Sequence, residues 1–395
     1  MSPRDLEIGD ELARRSDDLV TLRRDLHQHP ELGFAECRTA AIVAERMHHA
    51  GLEVVTGIAT TGVVGILRGD LPGRTIAWRA DMDALPLEET VDSAFRSTVP
   101  NVMHACGHDG HTAIAVVMAE TLAARRKVLH GNTVFLFQPA EEVFGGARKM
   151  LEAGVLDTYG VEEVYGLHLT SRLPVGRVEA CPGISMASAD FIEVEVHGRG
   201  GHGASPHLAV DPIVVAAQIL VGMQQLVAST VPAQHVAVLT IGEFLAGTAP
   251  NIIPELAVMR GSLRTLRPSD RRDLLERLTV YVEAVARGSR AHATLRTIGG
   301  CCPPLVNHAH QTALVHTCAA SELSATHVEA GEAVLASDDM SLFLEQRPGC
   351  YFRVGASVED RPPPPHHSPD FEIHEGSLAV GARVAAQVLL NALRS

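Results

Sequence analysis

The densest chemistry in this 395-residue chain lies in His104–Ala105–Cys106–Gly107–His108–Asp109–Gly110–His111. A thiolate and an imidazole two residues apart can reach one metal ion, and the glycine between them lets the backbone turn sharply. Upstream, Trp78–Arg79–Ala80–Asp81–Met82–Asp83 ends an apolar run with a pair of carboxylates at a spacing of two. On a strand that spacing puts both on one face, where such a pair can orient a metal-bound histidine. Downstream, Phe135–Leu136–Phe137–Gln138–Pro139–Ala140–Glu141–Glu142 ends another apolar run with adjacent glutamates. Consecutive side chains diverge, so one can bind metal while the other faces a water as general base. His168 sits near the end of the apolar segment Val164–Leu169, and His366–His367 follow the stiff, extended run Pro362–Pro365. Each signal alone has a plain alternative: a turn-forming aspartate, a core histidine, a solvated acidic turn, an exposed loop. Their coincidence at several strand ends points to a metal site.

The elements that must carry these residues alternate along the chain. Gly62–Leu67, Thr75–Ala80, Thr133–Phe137 and Val161–Leu169 read as strands, and His111–Arg125 has helical periodicity without a breaker. That alternation is the signature of an α/β sheet covered by helices. Near Gly183 the rhythm changes. Phe191–Val196 alternates apolar with acidic residues, a helix follows over Asp211–Ser229, then strands at Val236–Phe244 and Leu256–Arg264. A charged helix over Pro268–Arg287 and a strand at His292–Ile298 complete a β-α-β-β-α-β order, the split ferredoxin-like unit. The expected organisation is therefore a larger domain from residues 1–184 and 299–395, with residues 185–298 inserted as a smaller one. The α/β rhythm resumes with a strand at Cys350–Val354 and a helix over His374–Leu393. The apolar helix of the insertion could serve a second copy of the chain, so dimerisation is expected.

Composition narrows the class. A net charge of −14 supplies no basic stripe for phosphates, so no nucleic-acid partner is expected. The opening MSPRDLEIGDELARRSDD is polar and acidic, unlike a secretory signal. The apolar stretch Ile213–Val227 is interrupted by Gln218, Gly222, Gln224 and Gln225, and no membrane partner is expected. The 7 cysteines are odd in number and irregularly spaced, which fits a reducing cytoplasm and no disulfide framework.

Taken in order, RADMDALP, HACGHDGHTA, FQPAEE, GLHL, GRGGHGASPH, APNIIPE and HHSP span nearly the whole chain. The ordered set resembles the amidohydrolase branch of the co-catalytic di-metal metallopeptidases, which includes hippurate hydrolase, N-acyl-amino-acid amidohydrolases and hydrolases of indole-acetyl-amino-acid conjugates. The resemblance implies a metallopeptidase-like catalytic domain whose inserted ferredoxin-like domain is a lid and dimer interface. It implies two divalent ions per subunit, of zinc, manganese, cobalt or nickel, bridged by Cys106 and completed by His108, Glu142, His168 and His367. Glu141 matches the general base and Asp83 the carboxylate behind the metal site. His202 matches a histidine that reaches the oxyanion across a dimer, and Asn251 and Arg264 match residues that hold the substrate carboxylate, with His207 of the same GGHGASPH motif beside them. The implied reaction is hydrolysis of the amide bond of an N-acyl amino acid by a metal-activated water.

This chain departs from the family pattern at Thr170–Ser171, where an aromatic residue and a proline are usual, at Ser337–Asp338–Asp339–Met340, and at His374. By the resemblance these positions lie at the pocket rim and bear on substrate choice. A carboxypeptidase or dipeptidase on the same scaffold is the second enzyme reading. A catalytically silent metal-binding scaffold is the reading from another class, and the retained Glu141 speaks against it. A serine hydrolase is poorly supported, since the chain has no G-x-S-x-G.

Overall fold

The computed structural model describes residues 3–358 and 362–394. The chain divides into two compact units, one formed by Met1–Ser185, Val306–Glu332 and Asp339–Ser395, the other by Met186–Leu305 and Ala333–Asp338.

The first unit is built on an eight-stranded sheet. Its centre is four mutually parallel neighbours, in the order His130–Gln138, Leu71–Asp81, Glu163–Pro174, Gly349–Ser357. These strands are buried on both faces, as parallel strands covered by helices must be. The helices His108–Ala123 and Gly376–Ala392 pack in the same apolar core, and the former is buried along almost its whole length. Parallel strands send their carboxyl ends to one edge of the sheet, where a crevice forms. Asp81, Gln138 and His168 all lie towards that edge, with Asp81 opposite Gln138 in register.

The second unit is a four-stranded antiparallel sheet in the order Ala237–Ala246, Leu256–Thr265, Ala189–His197, His292–Cys302. Two helices, Pro212–Thr230 and Pro268–Gly288, bury Val215, Ile219, Met223, Leu274, Leu278 and Val282 in a core shared with that sheet. The first helix starts where Pro212 loses no bond and the Asp211 carboxylate caps the Ile213 N–H. By length and composition alone it could cross a membrane, but one of its faces lies in this core and Gln224 donates to the Leu239 carbonyl. The boundary expected at residue 298 falls inside a strand. Pairing slips between Thr297 and Cys301, around Gly299 at φ 64°, and then resumes to Cys302. The Gly299–Gly300 pair that reads as a break in sequence is an irregularity within one strand.

Candidate metal centre

Gly107, at φ 88°, turns the chain into the helix that opens with His108, a conformation that favours glycine. The turn presents Cys106 and His108 together. The ligand atoms of Cys106, His108 and His168 lie within 4.8 Å of one another, and so do those of Cys106, Glu142 and His367. Cys106 therefore belongs to both sets. Its Sγ is 3.5 Å from His168 Nε2. His367 Nε2 is 3.3 Å from a Glu142 oxygen.

Each histidine is oriented from behind. His108 Nδ1 lies 2.9 Å from the Asp83 carbonyl and 3.3 Å from its carboxylate, which leaves Nε2 for the centre of the cluster. His168 Nδ1 lies 2.7 Å from the Leu169 carbonyl, which likewise leaves its Nε2 facing Cys106. Fixing one ring nitrogen in this way is how proteins prepare the other as a ligand. Both adjacent histidines reach the cluster, His366 with Nδ1 3.7 Å from Cys106 Sγ and its ring 5.1 Å from that of His168. His367 takes a left-handed φ of 63° and donates its N–H to Ala105, while the His366 ring packs on Phe371.

Charge tells the same story. Burial disfavours a charged His108, yet Asp81, Asp83 and Glu142 outweigh it and raise its pKa to about 10. Asp81 is buried too, and Arg79, His108 and His111 nevertheless hold it well below the usual carboxylate range. Burial and the neighbouring rings of His111 and His366 push His168 well below an ordinary imidazole. Anionic surroundings thus meet a neutral ring and a thiol. His108 Nε2 and Glu142 Oε1 are buried without hydrogen-bond partners. Buried polar atoms left so are costly unless something else satisfies them, so this donor set fits divalent cations.

The glutamates sit at a strained turn. Ala140 has φ 52°, unusual for a residue with a Cβ. Its N–H donates to Glu36 Oε1 at 2.8 Å, and the Glu142 N–H donates to Asp83 Oδ2 at 3.0 Å. Burial raises the pKa of the Glu36 carboxyl, whose second oxygen accepts from Thr61. Glu36 escaped the sequence reading, because nothing in the local pattern ties it to a turn 104 positions away. Asp83 does more than expected, holding both His108 and the Glu142 backbone. Glu141 is buried, with an oxygen 3.9 Å from His108 Nε2.

The remaining expected residues belong to the second unit. His202 pairs with Ile252 in a short antiparallel ribbon, and the Gly203 N–H donates to the Asn251 carbonyl, so His202 and Asn251 are neighbours. His207 lies on the following turn, Pro206–Leu208, and all three are exposed. Arg264 is on the strand Leu256–Thr265, its Nη1 donating to the Leu335 carbonyl and the Ser337 hydroxyl at 2.9 Å each. The positions expected at a pocket rim are mostly interior. Thr170 and Ser171 are buried, and the Ser171 hydroxyl donates to the Pro364 carbonyl at 2.7 Å, tying the proline run to the strand that bears His168. Asp339 is buried against Arg79 and Gln138. Of these positions His374 is exposed and Ser337 half-buried.

A parallel sheet whose strand ends gather thiol, imidazole and paired carboxylates is the framework of a metal-dependent hydrolase. The sequence profile of peptidase family M20/M25/M40 matches residues 77–391, and the chain belongs to that family. It is 37% identical over 380 residues to thermostable carboxypeptidase 2 of Saccharolobus solfataricus, covering 95% of each chain. It is 36% identical over 384 residues to N-acetylcysteine deacetylase of Bacillus subtilis, covering 95% of this chain and 97% of that one. Among solved structures it resembles the Bacillus subtilis YXEP protein, described as a dinuclear metal-binding peptidase of the M20 family. The TM-score is 0.82 at 33% identity, covering 96% of this chain and 99% of that one.

Proposed function

We propose that this hydrolase cleaves the amide bond of N-acyl amino acids, and that Cys106, His108, Glu142, His168 and His367 would hold two divalent cations, with Cys106 serving both. The observation that carries the reading is that Cys106 belongs to two ligand sets, one with His108 and His168 and one with Glu142 and His367, while Glu141 groups with His108 and Glu142 beside them. Such ions, when bound, would supply a water of lowered pKa, towards about 7, and polarisation of the carbonyl. Glu141 accepts the proton of the attacking water on its carboxylate and delivers it to the leaving nitrogen. His202 accepts the Ala204 N–H at Nδ1, so its proton is on Nε2, where it can be donated to a developing oxyanion. Asn251, Arg264 and His207 supply the donors for a substrate carboxylate. The donor set is compatible with zinc, manganese, cobalt or nickel.

The β-α-β-β-α-β order and the 4-1-3-2 arrangement of its strands support a ferredoxin-like insertion acting as lid and dimerisation domain. Exposed Val214, Val221, Phe244, Leu245 and Ile252 lie on one helix, an edge strand and the short ribbon of that unit, which supports a homodimer. An odd number of irregularly spaced cysteines supports a cytoplasmic setting. The carboxypeptidase relative favours a second reading, a peptidase on the same scaffold. Apo-protein reloaded with single metals and assayed on N-acetyl, N-benzoyl and free dipeptide substrates separates the readings. Faster turnover of dipeptides than of N-acyl amino acids would overturn the first.

A further inference from the structure

Of the residues in HACGHDGH, His111 is used neither as ligand nor as base by the reading above. It lies one helical turn after His108 and is 2% exposed. Both its ring nitrogens are engaged. Nδ1 is 2.6 Å from Asp81 Oδ1, and Nε2 is 2.9 Å from the backbone nitrogen of Leu169. A backbone N–H can only donate, so Nε2 must be the bare, accepting nitrogen. The proton therefore sits on Nδ1 and is donated to Asp81. With that lone pair occupied the ring has nothing left for a metal ion, although Asp81, His108 and His111 present ligand atoms within 4.8 Å of one another.

The place of this bond in the sheet gives it a purpose. The strands Leu71–Asp81 and Glu163–Pro174 pair only from Ile76 with Glu163 to Arg79 with Gly166. Beyond that the ladder parts, and Asp81 and His168 lie on opposite lips of the opening. His111 spans the gap where backbone pairing has stopped. It takes up the Leu169 N–H, which the neighbouring strand no longer satisfies, and returns a proton to Asp81. Asp81 is itself immobilised: Arg79 donates to its other oxygen at 2.6 Å, the Thr112 hydroxyl donates to its carbonyl at 2.8 Å, and Arg79 is pinned by Gln138 and Asp339. The His111 ring lies 4.7 Å from that of His168 and 5.4 Å from that of His108, centroid to centroid, wedged between both proposed ligands.

We infer that His111 is a positioning residue: a neutral imidazole that clamps the lip bearing His168 to the lip bearing Asp81 and so fixes where His168 Nε2 points. This rests on the two-ion reading above. It differs from a filler role, for which any ring of that size would serve, because it depends on one directional bond from Leu169.

The test uses the full chain, stripped of metal and titrated with cobalt(II) against a chelator, with the cobalt absorption spectrum as a second readout. His111→Phe keeps a ring but neither bond. It should weaken one of the two ions by about tenfold or more, the scale of losses when a ligand's supporting contacts are removed, and shift the cobalt spectrum. His111→Gln places a carbonyl oxygen near the position of Nε2, where it can accept the Leu169 N–H, and should recover most of that loss. If His111→Phe does not fold, His111→Asn, which can still donate to Asp81 but does not reach Leu169, isolates the same bond and should show the loss. Two ions held at wild-type affinity in His111→Phe or His111→Asn, or no recovery in His111→Gln, would overturn the inference. A wild-type chain that binds fewer than two ions would instead overturn the reading on which it rests.

Discussion

The proposed ligands and the proposed substrate contacts were equally prominent in sequence, yet the structure treats them differently. His108, His168 and Glu142 are held from behind by Asp83, the Leu169 carbonyl and each other, buried or half-buried in one unit, and His367 is the exposed member of the ligand set. His202, His207 and Asn251 stand exposed on a two-residue ribbon and a short turn of the other unit. Ligands for a small ion must be preorganised, because even a 1 Å error costs affinity, and preorganisation requires packing. Groups that meet a substrate or a second subunit can be ordered by it, and stay on the surface until it arrives.

The sharpest way to break that contrast is to remove the residue common to both ligand sets. Cys106→Ala should lose both ions together and all measurable turnover. Metal analysis that still finds two ions would separate Cys106 from one of the sets. Next in size is the base. Glu141→Gln should keep two ions and lose roughly 10²–10⁴-fold in kcat, whereas Glu142→Gln should weaken one ion and regain part of its rate in excess metal. A Glu141→Gln variant that loses an ion would reverse the two roles.

The exposed set is probed by mixing. His202→Ala and Glu141→Ala homodimers, each nearly inactive, should regain partial activity once subunits exchange, because one mixed site then has both groups intact. Proven exchange without recovery would place His202 outside the partner's site. The smallest effect concerns Glu36, a carboxyl held above its unfolded value of about 4.5 by burial. Such a group binds its proton more tightly in the folded protein, so its contribution is complete below the unfolded pKa and is lost as pH rises through the folded one. The stability gap between the wild-type chain and Glu36→Gln, from denaturation of metal-free protein, should therefore narrow between pH 4.5 and pH 7.5. A gap that widens would show that Glu36 is held ionised.

The central strands and the ligand candidates were legible because each depends on local information: apolar runs of strand length that end in ligand-type residues. Their bounds moved outward by a few residues, as Thr75–Ala80 became Leu71–Asp81. What stayed hidden depends on contacts distant in sequence. The role of Glu36 requires knowing that it meets Ala140, and the tautomer of His111 requires knowing that Leu169 faces it. Thr170 and Ser171 are polar residues expected at a pocket rim, yet they are buried, because the Ser171 hydroxyl finds the Pro364 carbonyl. The segment Ala333–Asp338 joins the second unit through Ala187 and Arg264, contacts that no periodicity announces.

The tie from Ser171 to Pro364 also bears on how the molecule is made. It secures the last proposed ligand, near a pair, Cys106 and His366, that lies 260 positions apart in the chain. Loop closure over such a distance adds little to the thermodynamic cost, which grows only with the logarithm of length. It matters greatly for timing, since a chain emerging residue by residue has its thiol and most of its imidazoles long before it has His367. A nascent chain can therefore present only a partial ligand set, and the complete centre can form only once synthesis has passed the proline run. A chain truncated before residue 362 would retain all eight strands of the sheet and never close the site.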